Sequence, residues 1–156
     1  MTTNEILIWN FKETRRRSEK IWENISPNNY HWKPDDTAMS IIEMVRHVLE
    51  GEHLFHKIIE KRGNLGDYET PWKDLPYKSI EKELEFAKPY RESFMNMIKN
   101  FNTEDFESII IKRTEVGQKK ILGDYLNRIA YHEAVHCGQM LSYLRILQVE
   151  RPLIWD

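Results

Sequence analysis

The chain has 156 residues, enough for one domain that buries roughly 70% of the surface its unfolded form exposes. Hydrophobic residues make up 40% and charged residues 31%, and the formal net charge of −2 gives no electrostatic reason to expect a nucleic-acid partner. The single cysteine, Cys137, excludes an internal disulfide framework, and no apolar run approaches the ~18 residues of a membrane span, so a soluble cytoplasmic protein is expected.

From Thr3 to Ile25 the positions Leu7, Phe11, Thr14, Ser18, Ile21 and Ile25 step by four and three, which predicts an amphipathic helix ending before Pro27. Arg15-Arg16-Arg17 within it reads as a solvated face. Asn28 to Met39 reads as loop. Ser40-Ile41-Ile42-Glu43 is a capping-box pattern that opens a second helix, running to about Lys61 with Gly63 as its stop. Gly63 to Lys78 is again loop. A third helix starts near Ser79, its stripe formed by Ile80, Leu84, Ala87, Phe94, Ile98 and Phe101. Pro89 lies inside it, opposite Ile80 on the wheel, where a kink without a break is expected. The β-branched run Ser108 to Ile111, with Gly117 following, suggests a short extended or hairpin segment. The fourth helix spans about Ile121 to Gln148. Four amphipathic helices and no strand-rich block predict an all-α four-helix bundle occupying residues 1–156 as one domain. Its long connections permit crossovers.

The chemistry concentrates in the last helix. His132 and His136 stand four apart, side by side on one helical face, the spacing at which one helix offers two imidazoles to one metal ion. That face also carries Tyr125, Ile129, Met140 and Tyr143, so both histidines are expected to point into the core. Two adjacent buried imidazoles need partners or a shared ion. A third ligand comes from the second helix. His47 sits at the edge of the arc set by Met44, Val48, Phe55 and Ile58, whereas His53 and His56 fall on the far side and read as surface residues. His31 lies in the first loop. Gly51, one turn beyond His47, could leave room beside the ion for a substrate. Second ligands to the imidazoles are sought among Glu43, Glu50 and Gln139.

His132-Glu133-Ala134-Val135-His136 also satisfies His-Glu-x-x-His, the zinc-protease pattern in which the glutamate is general base. The surroundings argue against it, because no further histidine follows at the extended position and only a short tail remains. The longer run from His132 through Gly138-Gln139 to Tyr143-Leu144-Arg145 resembles the His-x-x-x-His-x-Gly-Gln motif of the DinB family, the DNA-damage-inducible-like and YfiT-like four-helix proteins. Trp32-x-Pro34, the Val45-Arg46-His47 stretch and the closing Pro152-Leu153-Ile154-Trp155-Asp156 are similar to other segments of that family. Pro89 belongs to none of these motifs.

The resemblance implies a four-helix bundle of unusual connectivity with a divalent metal held by His47, His132 and His136 and with open coordination positions. Imidazole ligands suit zinc, nickel, iron or copper and do not select among them. It also implies a metal-dependent enzyme acting with a small cellular thiol such as bacillithiol, in the manner of a thiol S-transferase. The alternatives are a non-enzymatic, stress-related metal-binding bundle and a metal-dependent hydrolase using Glu133 as base. Glu133, Tyr125 and Tyr143 are the candidate proton carriers. Cys137 leans toward a helix seam and reads as packing. The substrate is expected to be a small molecule, and a homodimer is expected, covering apolar loop surface around Trp32 and Trp72.

Overall fold

In the computed structural model, which describes residues 1–156, α1 spans Thr3–Trp22, α2 Ile41–Lys61 and α3 Ile80–Lys99. A one-turn α4 (Asp105–Ser108), the strands β1 (Ile110–Arg113) and β2 (Gln118–Ile121), and the long α5 (Leu122–Ile146) complete the chain. The first two helices begin on reciprocal caps that satisfy otherwise free backbone N–H groups. Thr2 pairs with Glu5, and Ser40 pairs with Glu43, whose carboxylate accepts the Ser40 N–H at 2.7 Å. The side chain of Ser79 caps α3, and that helix runs unbroken through Pro89, whose ring faces solvent. The β-branched run does form a hairpin, Ile110 pairing with Ile121 and Arg113 with Gln118, turned at Gly117 with φ of 64°.

The four long helices form a ring in which α1 lies against α5 and α3, and α2 lies against α3 and α5. Consecutive helices α1 and α2 therefore stand on a diagonal, as do α3 and α5. The end of α1 (Ile21, Trp22), the starts of α2 (Ile41 to Leu49) and α3 (Ile80, Ala87), and the end of α5 (Met140, Leu144) share one apolar cluster. The opposite ends meet in a second cluster, built from Leu7, Phe11, Phe55, Ile59, Phe94, Ile98 and Leu122 to Ala130. Up-down-down-up order follows, with α1 parallel to α5 and α2 parallel to α3. The 62–79 connection must then travel the length of the bundle to restart α3 at the same end as α2.

Several expectations change. The helix α2 is stopped by Arg62, which takes the left-handed conformation at φ of 58°. Gly63 has a different task, since a Cβ there would lie 2.1 Å from the Lys112 carbonyl oxygen; only glycine lets the chain run against β1. Trp72 is 3% exposed and belongs to the core, so it offers no surface to a partner. His53 and His56 are buried at 6% and 1% exposure, not on the surface. His53 lies edge-on to Tyr90 with centroids 4.6 Å apart, and its Nδ1 has no hydrogen-bond partner. Both rings face α3, His56 against Phe94 and His53 against Tyr90, and the 62–79 connection closes over His53 with Tyr68 and Trp72. Arg15 is likewise buried, while Arg16 and Arg17 hold the C-terminal tail through Asp156 and the Ile154 carbonyl. No helix is long and apolar enough to cross a membrane.

Two stability effects follow. Gly63→Ala forces the hairpin away from α2 and is expected to cost about 1–3 kcal/mol in denaturant unfolding with the helical content retained. Burial lowers the pKa of His53 to about 4 and moves that of His56 down as well. The unfolded chain, with histidines near 6.5, then binds more protons than the folded chain between pH 6.5 and 4. Stability should be fully present above pH 6.5 and decline as pH falls through that window. His53→Phe is expected to flatten the decline, read as melting temperature against pH.

Candidate metal centre

Halfway along α2 and α5, three imidazoles meet. His132 Nε2 lies 3.0 Å from His47 Nε2 and 3.1 Å from His136 Nε2, and one ligand atom from each of the three falls within 4.8 Å of the others. Sequence spacing sets this up, because the i, i+4 pair on α5 faces the one histidine of α2 that looks across the α2–α5 seam. The face is not core, however. His132 and His136 are half-buried and His47 is exposed, so the cluster opens to solvent at a cleft. Gly51 gives the His132 ring its place, since a Cβ there would stand 3.3 Å from the ring's Cε1.

The donor set suits a divalent ion. Three nitrogens bound to one first-row metal at about 2.1 Å stand about 3.0–3.4 Å apart, the spacing that His132 keeps to each of the other two, with the whole set inside 4.8 Å. Three inward lone pairs repel one another unless a cation or shared protons lie between them. Burial first, and then the neighbouring imidazoles, push His132 down to about 4 and lower His47. Both therefore present neutral, ligating rings at neutral pH. The other ring nitrogen of His136 is fixed too: its Nδ1–H donates to Gln139 Oε1 at 2.6 Å, which leaves the Nε2 lone pair facing the cluster. Of the three expected supports only Gln139 takes this role. Glu43 is spent on the α2 cap, and Glu50 lines the cleft.

The candidate proton carriers lie elsewhere. Glu133 projects into the bundle at 4% exposure, where Arg15 Nε donates to one carboxylate oxygen at 2.7 Å and its Nη2 donates to the other at 3.1 Å. Arg15 and Arg91, with Ser18, hold the Glu133 carboxyl below its ordinary range despite burial, the opposite of a base raised toward neutrality. Tyr125 is buried against Phe55 with its hydroxyl unpartnered, and Tyr143 donates to the Met39 carbonyl at 3.1 Å. None of the three lines the cleft of about 450 Å³ beside His47 and His132, whose polar walls are Glu50, Tyr68 and Thr70. Cys137 is half-buried, and burial raises its thiol pKa.

Sequence reasoning missed the ionic group behind the histidines. Arg15 from α1, Glu52 from α2, Arg91 from α3 and Glu133 from α5 meet between the two apolar clusters. Arg91 pairs with Glu52, Arg15 lies 3.6 Å from it, and Arg91 also donates to the Phe11 carbonyl at 2.8 Å. The signal was available, since Phe11, Arg15, Ser18 and Trp22 step by four, three and four along the buried stripe of α1.

A family profile described as the DinB superfamily matches residues 10–140, most of the chain. This protein belongs to the DinB superfamily. It is 29% identical over 151 residues to the uncharacterized protein YjoA of Bacillus subtilis (strain 168), covering 93% of this chain and 91% of YjoA. The crystal structure of that DinB-like protein superposes with a TM-score of 0.72 at 25% identity, over 95% of this chain and 96% of the other. YfiT of Bacillus subtilis, described as a probable metal-dependent hydrolase with an unusual four-helix bundle topology, gives 0.73 at 12% identity, over 96% and 91%. The last likeness carries the fold, and its ring of diagonally connected helices fits that description.

Two measurements probe the centre. His47→Ala and His132→Ala are expected to abolish stoichiometric metal by elemental analysis, while Gln139→Leu weakens affinity about 10–100-fold by chelator competition. Glu133→Ala strands Arg15 in the interior and should cost about 3–5 kcal/mol in unfolding, with metal content of the folded fraction unchanged.

Proposed function

We propose that this protein is a divalent-metal-dependent enzyme that transfers, or transfers to, a small cellular thiol, a thiol S-transferase-like DinB protein. The observation that supports it best is a three-imidazole set on one side of a cleft that supplies no thiol of its own. Gly51, Leu54 and Phe55 give that cleft an apolar flank, and Cys137 is not among its walls. His47, His132 and His136 would hold the ion. When bound, it would supply Lewis acidity, favouring the thiolate of a substrate or polarising a carbonyl. The chain's own part is orientation: Gln139 holds His136, Gly51 admits the His132 ring, and the cleft brings the second reactant alongside.

The description of YfiT as a probable metal-dependent hydrolase favours a second reading, that same activity here. Glu133, the base that reading would use, is engaged on both oxygens by Arg15.

Protein loaded in turn with zinc, nickel, iron or manganese is to be incubated with cysteine or bacillithiol and a panel of epoxide and chloronitroarene electrophiles. The expected result is metal-dependent conjugate formation that His136→Ala abolishes and that Glu133→Gln retains when assayed well below its melting temperature. Metal-dependent ester or amide hydrolysis without thiol consumption would replace this reading with the hydrolase. Neither activity with any of the four metals would leave a metal-binding bundle.

A further inference from the structure

The cleft beside the histidines is chemically one-sided. Glu50, one turn beyond His47 on α2, is half-buried in its wall and has no lysine, arginine or histidine within ion-pair distance. The deeper carboxylates differ: Glu52, Glu83 and Glu133 each hold an arginine. No lysine or arginine lines this cleft, so Glu50 is the only charged side chain in its wall. Opposite Glu50 the 62–79 connection places two hydroxyls. That of Tyr68 is shielded from water and lies beside the Thr70 side chain without a well-aligned hydrogen bond. Thr70 Oγ1 accepts the Trp72 N–H at 3.2 Å and keeps a second lone pair.

We infer that the cleft selects a substrate carrying a protonated amine, with Glu50 as its charge partner and the Tyr68 and Thr70 oxygens as its remaining acceptors. An alkylammonium has three N–H donors, and the cleft offers three acceptor groups and no cationic side chain to compete for Glu50. Glu50 is a specificity-determining residue in this assignment, and Tyr68 and Thr70 position the amine. The inference rests on the thiol-dependent reading above, in which one reactant occupies the ion and its remainder extends along the cleft.

The test uses cobalt-loaded protein and thiols that differ only at the distal group: cysteamine, its quaternary analogue thiocholine, 2-mercaptoethanol and 3-mercaptopropionate. Sulfur-to-cobalt charge-transfer absorption reads each Kd without any turnover. Thiocholine matters because its nitrogen can neither ligate the metal nor donate a hydrogen bond. Both cationic thiols are expected to bind roughly three- to tenfold more tightly than 2-mercaptoethanol, with 3-mercaptopropionate weakest. Glu50→Gln, with cobalt content unchanged, should erase the difference, and Glu50→Asp should keep most of it. Tyr68→Phe and Thr70→Val should weaken cysteamine and leave thiocholine alone.

Equal affinities for all four thiols would overturn the amine assignment alone, as would a cationic preference that survives Glu50→Gln. Were Glu50→Gln to lose cobalt, the Tyr68→Phe and Thr70→Val comparison decides, and an unchanged cysteamine affinity overturns the assignment. No charge-transfer band with any thiol would instead overturn the thiol-dependent reading, and this inference with it.

Discussion

The bundle depends on a buried set of charges. Arg15, Glu52, Arg91 and Glu133 come one from each long helix, and they meet at the level where the two apolar clusters part. Two cations and two anions cancel formally, but desolvating them is expensive, and a hydrophobic replacement of the same volume could be as stable. What the group does supply is register. Sliding any helix by one turn would strand an arginine or a carboxylate in apolar surroundings, a far larger penalty than a mismatched leucine. Because α5 carries Glu133 between His132 and His136, and α2 carries Glu52 one residue beyond Gly51, the same register fixes the level at which the histidines face each other. The metal centre and the ionic group are two faces of one constraint.

Much of this was legible in the sequence. Strong periodicity gave the four long helices, the Ser40–Glu43 pattern gave the cap of α2, and the i, i+4 histidines with His47 named the trio that converges. The failures have a common physical origin. A helical wheel distinguishes buried from exposed only relative to the neighbours it assumes, and α2 is covered on its polar side by α3 and the 62–79 connection. His53 and His56 were therefore taken as wet. Arg15 was read as solvated because charge type outweighed its place on the stripe, although Phe11, Ser18 and Trp22 share that stripe. Glu133 was drawn to the metal by a five-residue pattern. On a helix, however, it lies about 100° from His132, enough to aim it at α1 instead.

The two functional halves of the site obey different rules. The histidines sit on helices, where packing on both sides fixes their directions, and one of them is further held by Gln139 from the same helix. The neutral rings of His47 and His132 keep such a set ready for a cation. The opposite wall is chain without regular structure, and its hydroxyls are placed by a loop whose own anchors are Gly63 against Lys112 and Trp72 in the core.

That loop has a consequence for how such a scaffold diversifies. Since α2 and α3 run parallel, the chain must return along the whole bundle between them, and the return passes the mouth of the cleft. Its middle residues, 64–71, border the cleft through Tyr68 and Thr70, and only Leu65 and Tyr68 among them pack on the bundle. Natural drift or laboratory libraries can therefore vary the exposed positions of this stretch around Leu65 and Tyr68 while the three histidines and the helix register stay as they are. The topology separates the wall built by helices from the wall built by loop.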